Sequence, residues 1–295
     1  MPYSNLICNP AFWKALVKRP TFSENDVPDL TGKAYEAIEK AKEDIQKKNP
    51  LVTNPKLDFL ELDLNDMNNC HQAAMKFLSM GLPLHILVNN GGIMTSPFAL
   101  SADGIEQQFA VNHMGHFVFT MALLDRIKES QPSRIVVLSS IGHESSVNGG
   151  VDFDTLNDQS KSNTVSRYGR SKLSNLLFGK ALARRLANDK VYVNMAHPGF
   201  VYTELQRNNQ AALGSVAAKA YDLAGRMCAA TPEVGALNQI YCATSPDIEE
   251  KDLRGKYFVP VGNELRPSPY ALDEALQERL WEFSVNLTRE KIKEP

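Results

Sequence analysis

Apolar residues recur along this chain at two alternating periods. In AYEAIEKAKEDIQKK, residues Ala34, Ile38, Ala41 and Ile45 fall on one face of a predicted helix, which Pro50 ends. KLDFLELDL (56–64) alternates with period two and predicts a strand. Asp66 is placed to cap a second helix with Met67, Cys70, Ala74 and Phe77 on its inner face. HILVNN (85–90) is a short continuous apolar run, the pattern of a strand buried on both faces. A long helix is predicted from about 103 to 128, a strand at RIVVLSS (134–140), a helix from Tyr168 to Ala187 and a strand at VYVNMA (191–196). Helices near 213–228, 232–244 and 272–286, with a short strand at 257–259, complete the pattern. Strands alternating with helices predict an α/β fold, a parallel sheet with helices on both faces, and such sheets bind ligands at the carboxyl ends of their strands.

Composition narrows the function classes. The 295 residues are 43% hydrophobic and 22% charged with a formal net charge of −2, and no basic block marks a nucleic-acid partner. Cys8, Cys70, Cys228 and Cys242 lie far apart without metal-site spacing, so no metal is expected. Scattered thiols suit a reducing compartment, and a cytoplasmic location is expected. No apolar run approaches the ~18 residues that span a bilayer, and Asn9-Pro10 would interrupt a secretory signal. One detail matters more than the totals: of 17 glycines, only Gly32 falls in the first 80 residues.

Three predicted strands end in polar or turn-forming clusters: Asn89-Asn90-Gly91-Gly92, Ser139-Ser140 and His197-Pro198-Gly199. Taken singly, each reads more simply as a local turn or a local backbone hydrogen bond. The helix predicted after Ser140 begins with Tyr168-Gly-Arg-Ser-Lys172, and residues four apart share a helix face. A tyrosine hydroxyl is a poor base near its ordinary pKa of about 10, and an adjacent ammonium favours the phenolate. A serine hydroxyl can hydrogen-bond a carbonyl or the alkoxide formed on its reduction. The hydride would have to come from a cofactor.

On these motifs the chain resembles the short-chain dehydrogenase/reductase family over about residues 30–295, particularly its fungal and retinol-dehydrogenase-like members. HILVNNGGIM is similar to the family's Asn-Asn-Ala-Gly strand end, with Gly91 in place of Ala. The resemblance implies an NADP (or NAD) cofactor, an apolar carbonyl or alcohol substrate, and a Rossmann-like, doubly wound parallel sheet. It implies catalytic roles for Asn112, Ser140, Tyr168 and Lys172. It also implies cofactor contacts at Asp63, Asn90, Tyr168, Lys172, Pro198, Gly199, Val201 and Thr203. The helices carrying Asn112 and Tyr168 commonly form a homodimer surface in this family, and Met94, Phe98, Ile141 and Phe200 would line an apolar pocket beneath segment 202–229. His113, His116 and His143 are expected to pack or hydrogen-bond, and Trp13 and Trp281 to anchor terminal helices.

The resemblance departs at one place. Family members follow Leu-x-Gly-Lys with a strand, Thr-Gly-x-x-x-Gly-x-Gly, a helix and a second strand, and backbone N–H groups of that turn approach the pyrophosphate. Here Leu30-Thr31-Gly32-Lys33 runs directly into Ala34-Tyr-Glu-Ala, so a strand–helix–strand unit of roughly 35 to 40 residues is expected to be missing. The chain then divides into an extension, 1–29, and a single shortened domain, 30–295. Strand 56–62 would have to pair directly with 85–90, or another segment would have to fill the gap. Two functions remain open: a working NAD(P)-dependent oxidoreductase, and a catalytically impaired variant or non-catalytic interaction protein.

Overall fold

The computed structural model describes residues 41–47, 55–146, 150–201 and 229–292. Residues 41–47 are helical, and Ala41 is buried. Helix α1 (Met67–Ser79) starts where the Asp66 carboxylate accepts the Asn69 N–H, and it buries Met67, Cys70, Ala73 and Ala74. Strand β1 (Ile86–Asn89) follows. The predicted long helix arrives in three pieces: α2 (Gln107–Phe109), a π-helical turn (Ala110–Met114) and α3 (Gly115–Glu129). Strand β2 (Ser133–Leu138) leads into a 3₁₀ turn (Ile141–Ser145). Helix α4 (Thr164–Arg185) then starts at its Asn163 cap, placing Tyr168 in the second turn rather than at the helix start. Strand β3 (Val191–Ala196), helices α5 (Pro232–Thr244) and α6 (Asp247–Glu250), and strands β4 (Tyr257–Val259) and β5 (Asn263–Glu264) come next. Helices α7 (Pro269–Leu272) and α8 (Glu274–Lys291) close the described chain.

The sheet has five strands in the order β1-β2-β3-β4-β5, parallel through β4, with β5 antiparallel. Alternation along the strands feeds two cores. Leu87, Ile135 and Val193 align across three strands and face α1, α3, α4 and α8. Val136, Leu138, Tyr192, Ala196 and Phe258 face the other way, onto Cys242, Ala243 and Ile248 of α5 and α6. Every residue of β2 and β3 is buried, as their continuous apolar runs require. Trp281 anchors α8 between Phe117 and Phe178, with the Arg185 guanidinium 3.9 Å above its ring.

Two expectations are corrected at one end of the sheet. Residues 56–63 form no strand, and among the described residues nothing pairs with the outer edge of β1. Strand β1 is therefore buried on one face only: Leu87 and Asn89 point inward, while Ile86 and Val88 remain 42% and 38% exposed. The alternating apolar pattern at 56–64 needs a neighbouring ladder to become a strand, and none lies beside it.

Helix α4 packs closely on the turn after β2 because Gly169 has no side chain. A Cβ on Gly169 would stand 2.7 Å from backbone atoms of Ser145 and Ser146 and 2.8 Å from the Gly142 carbonyl oxygen. Gly169→Ala must push α4 off the 141–145 turn, and we expect a loss of about 1–3 kcal/mol in urea unfolding. Wild-type stability in that variant would show that this contact is loose.

Candidate active site

Parallel pairing sets Asn89 beside Val137 and Leu138 beside Ala196, so three strand-end loops leave the same side of the sheet. Helix α4 lies across them. The space of a Cβ at Gly142 would fall 2.9 Å from Tyr168 Cε1 and 3.4 Å from Ser140 Oγ, so the ring and hydroxyl flank one point. Likewise Asn112 Oδ1 and Lys172 Nζ lie 2.9 and 3.4 Å from the Cβ that Gly92 lacks. The Lys172 ammonium stands 5.8 Å from the centre of the Tyr168 ring. Asn112, Ser140 and the Tyr168–Lys172 pair, well separated in sequence, thus lie together.

Local bonding explains each placement. Asn112 sits in the π-helical turn, a distortion that often marks functional sites. Its Nδ2 donates to the Ile93 carbonyl (2.9 Å) and Ser171 Oγ (2.8 Å), while its Oδ1 accepts the Ile93 N–H (2.8 Å). The serine pair divides its work. Ser139 Oγ donates to the Lys172 carbonyl at 2.7 Å, tying β2 to α4. Ser140 Oγ accepts the Gly142 N–H at 3.0 Å, which leaves its own O–H to donate to a ligand. Lys172 is buried, and its ammonium makes one long hydrogen bond, 3.4 Å to the Leu138 carbonyl. Burial lowers its pKa to about 8.

The remaining expected residues are less uniform. Asn90 is exposed on the first loop, its N–H donating to the Val88 carbonyl. Pro198, Gly199 and Val201 are half-buried on the third loop. Gly199 adopts φ +89°, and a Cβ there would also press on Pro260, 3.0 Å away. Val201 packs against Gly235, whose Cβ would stand 2.4 Å from a Val201 methyl. Thr203 and most of segment 202–229 lie outside the described residues. Asp63 lies at the start of α1, next to Leu64, whose Cδ1 is 2.8 Å from the Cβ that Gly91 lacks. Asp63 accepts the Asn65 N–H at Oδ1, its N–H donates to Asn69 Oδ1, and its carbonyl accepts from Asp66 and Cys70 at the start of α1.

Several supporting residues carry no motif. Asn175 donates to the Leu138 carbonyl at 2.8 Å, and Asn238 holds the His197 and Phe258 carbonyls at 2.8 and 3.0 Å. Ser171 and Asn175 share the Tyr168 side of α4 at helical spacing, a signal available in the sequence. Asn238 offered none.

The site fits one end of a nicotinamide dinucleotide. A buried ammonium with one weak acceptor and a serine hydroxyl with a free proton suit a ribose hydroxyl and a substrate oxygen. The other end meets no such fit. The chain lacks the glycine-rich turn, and the strand beside which a pyrophosphate would lie is an open edge among the described residues.

Comparison with known proteins bears on the chain as a whole. A family profile described as short chain dehydrogenase matches residues 29–214. The chain is 39% identical over 244 residues to short-chain dehydrogenase TIC 32 A, chloroplastic, of Brassica napus, covering 80% of this chain and 74% of that one. It is 38% identical over 259 residues to human retinol dehydrogenase 13, covering 88% and 76%. A solved structure from Mycobacterium paratuberculosis is similar with a TM-score of 0.57 and 26% identity over 84% of this chain and 81% of that one. A 3-oxoacyl (acyl-carrier-protein) reductase from Agrobacterium tumefaciens with NADP bound has a TM-score of 0.55 at 18% identity, covering 77% and 80%, and shares the fold. Among the described residues, no helix is long and apolar enough to cross a membrane and no side-chain cluster could hold a metal ion.

Four histidines surround the site, all buried, and burial lowers each pKa: His113 and His197 to about 3, His116 and His143 to about 4. His116 donates Nε2–H to the Gly91 carbonyl at 2.8 Å, and His113 Nε2 meets Ser284 Oγ at 3.0 Å. His143 Nε2 accepts the Ser268 N–H at 3.1 Å, which leaves Nδ1–H to donate to the Ser140 carbonyl at 2.7 Å. In the unfolded chain these imidazoles take up protons near pH 6.5, and in the folded protein they do not. Stability therefore falls as pH drops below about 6.5, by roughly 2 kcal/mol per histidine at pH 5. Buried Glu106, whose pKa is raised by desolvation, opposes this only once carboxylates titrate. We expect the melting temperature to fall steeply between pH 7 and pH 5 in circular dichroism, and a flat profile would contradict neutral burial of the four rings.

Proposed function

The chain belongs to the short-chain dehydrogenase family, and from that premise we propose that it is an NAD(P)-dependent oxidoreductase that interconverts a carbonyl and an alcohol. Tyr168 would move the proton at its hydroxyl oxygen. The convergence of Ser140, Tyr168 and Lys172 beneath Gly92 and Gly142 carries this reading. A bound nicotinamide would supply or accept the hydride, which no side chain can do.

Each residue has a task in the proposal. Ser140 O–H donates to the substrate oxygen, whose negative charge grows during reduction, and Tyr168 delivers the proton to that oxygen. Lys172, with two unfilled ammonium donors, holds the ribose hydroxyls and places positive charge beside the phenol. Asn90 and the Pro198–Gly199–Val201 turn would flank the nicotinamide end. Asn112 positions the loop and α4 through Ile93 and Ser171. Met94, Phe98 and Ile141 are half-buried near the loops, which favours an apolar substrate. The free buried thiols of Cys70 and Cys242 suit a reducing compartment such as the cytoplasm. A second reading, a catalytically impaired or non-catalytic relative, draws on the missing glycine turn and the open edge of β1.

Tyr168→Phe separates the two. We expect turnover of carbonyl substrates to drop by about 10²–10⁴-fold with nicotinamide binding unchanged. We also expect kcat/KM to decline above pH about 8 as Lys172 loses its proton. Activity within a few-fold of wild type in the Tyr168→Phe protein would remove Tyr168 from the chemistry, and a wild-type chain with no turnover would favour the second reading.

A further inference from the structure

The proton-handling half of the site is built, and the half that would read adenosine is not. In open α/β sheets a dinucleotide lies across the crevice where the strand order reverses and successive helices pass to opposite faces. The described sheet runs β1-β2-β3-β4-β5 with no reversal, so it has no such crevice among the described residues. Strand β1, which would form one wall, ends the sheet with Ile86 and Val88 half exposed. A pyrophosphate needs clustered backbone N–H groups that glycine lets it approach, yet the first 80 residues hold one glycine. Asp63, the expected adenine neighbour, has its N–H, its carbonyl and one carboxylate oxygen bonded within the turn that starts α1. By contrast, Ser140 and Lys172 stand beside Tyr168 with hydroxyl and ammonium donors left for a ligand.

We propose that this site recognises only the nicotinamide-riboside end of its cofactor, so that reduced nicotinamide mononucleotide binds as well as the complete dinucleotide. The 2′-phosphate that separates NADP from NAD then goes unread, and the chain does not discriminate between the two. This rests on the nicotinamide-binding reading above. A dinucleotide gains affinity from its adenosine half only where protein groups meet that half, and ordering it without such contacts costs entropy.

The test is a binding titration of the full chain. NADPH, NADH and reduced nicotinamide mononucleotide are followed by their dihydronicotinamide fluorescence, and ADP-ribose and adenosine 2′,5′-bisphosphate by calorimetry. We expect the three nicotinamides to bind within about threefold of one another, which is under 1 kcal/mol. We expect the two adenosine ligands to give no heat and no competition. Lys172→Met should weaken mononucleotide and dinucleotide by the same factor. NADPH binding about 30-fold or more tightly than the mononucleotide, or competition by either adenosine ligand, would overturn the inference while leaving the oxidoreductase reading intact. Millimolar nicotinamides that all fail to bind would instead remove that reading, and the inference with it.

Discussion

One buried carboxamide holds the candidate site together. Asn112 is fully buried, and it spends three hydrogen bonds on two other elements: two to the backbone of Ile93 just beyond β1, and one to Ser171 on α4. Thr164, at the start of that helix, adds a bond of 2.7 Å to the Ser96 carbonyl of the same loop. A regular α-helix through 110–114 would turn the Asn112 side chain elsewhere. The π-helical turn supplies the extra rotation, at a cost in helix regularity that the three bonds offset. Gly92 follows from the same constraint, because a side chain there would displace the Asn112 oxygen 2.9 Å away.

A second buried group orients the helix itself. Glu106 is 1% exposed and accepts the N–H groups of Gln108 and Phe109 at 3.1 and 3.0 Å, starting α2. Arg167 and Arg170, on either side of Tyr168, lie 3.6 and 3.9 Å from its carboxylate. Their own hydrogen bonds go to the Ser162 and Leu156 carbonyls, so the cluster binds the 156–162 segment as well. Burying one negative and two positive groups is expensive, and such clusters often contribute more to a unique arrangement than to net stability. Here the arrangement they select is the rotation of α4 about its axis, which decides where Tyr168 points.

Much of this was legible in the sequence because it follows from local pattern. The continuous apolar runs at 134–138 and 191–196 became strands buried on both faces, and Asp66 capped the helix its position suggested. The Tyr168–Lys172 spacing placed both side chains on one helix face. What could not be read depended on neighbours. The run at 56–64 has a strand's alternation, but alternation specifies a face and not a partner, and without a partner it stays irregular. The run at 85–90 read as doubly buried, and half of it lies open because the second core stops at β2 and takes in no residue of β1. Glu106, Arg167 and Asn238 escaped notice because a buried polar side chain looks like a surface one until its contacts are known.

These contacts also show why one half of such a fold can keep its shape without the other. Ser140 is placed by β2 and the turn after it, Tyr168 and Lys172 by α4, and α4 by Ser139, Glu106 and the glycine contact at residue 169. All of these lie on the β2–β3 side of the sheet, where every strand residue is buried. Only the loop after β1 reaches toward the open edge, and Asn112 and His116 hold it from the inner side through Ile93 and Gly91. The groups that would handle the proton are therefore fixed by interactions that never cross β1. A dinucleotide would draw on both sides of that strand, so the edge of β1 left open among the described residues bears on cofactor binding far more than on the placement of Ser140, Tyr168 and Lys172.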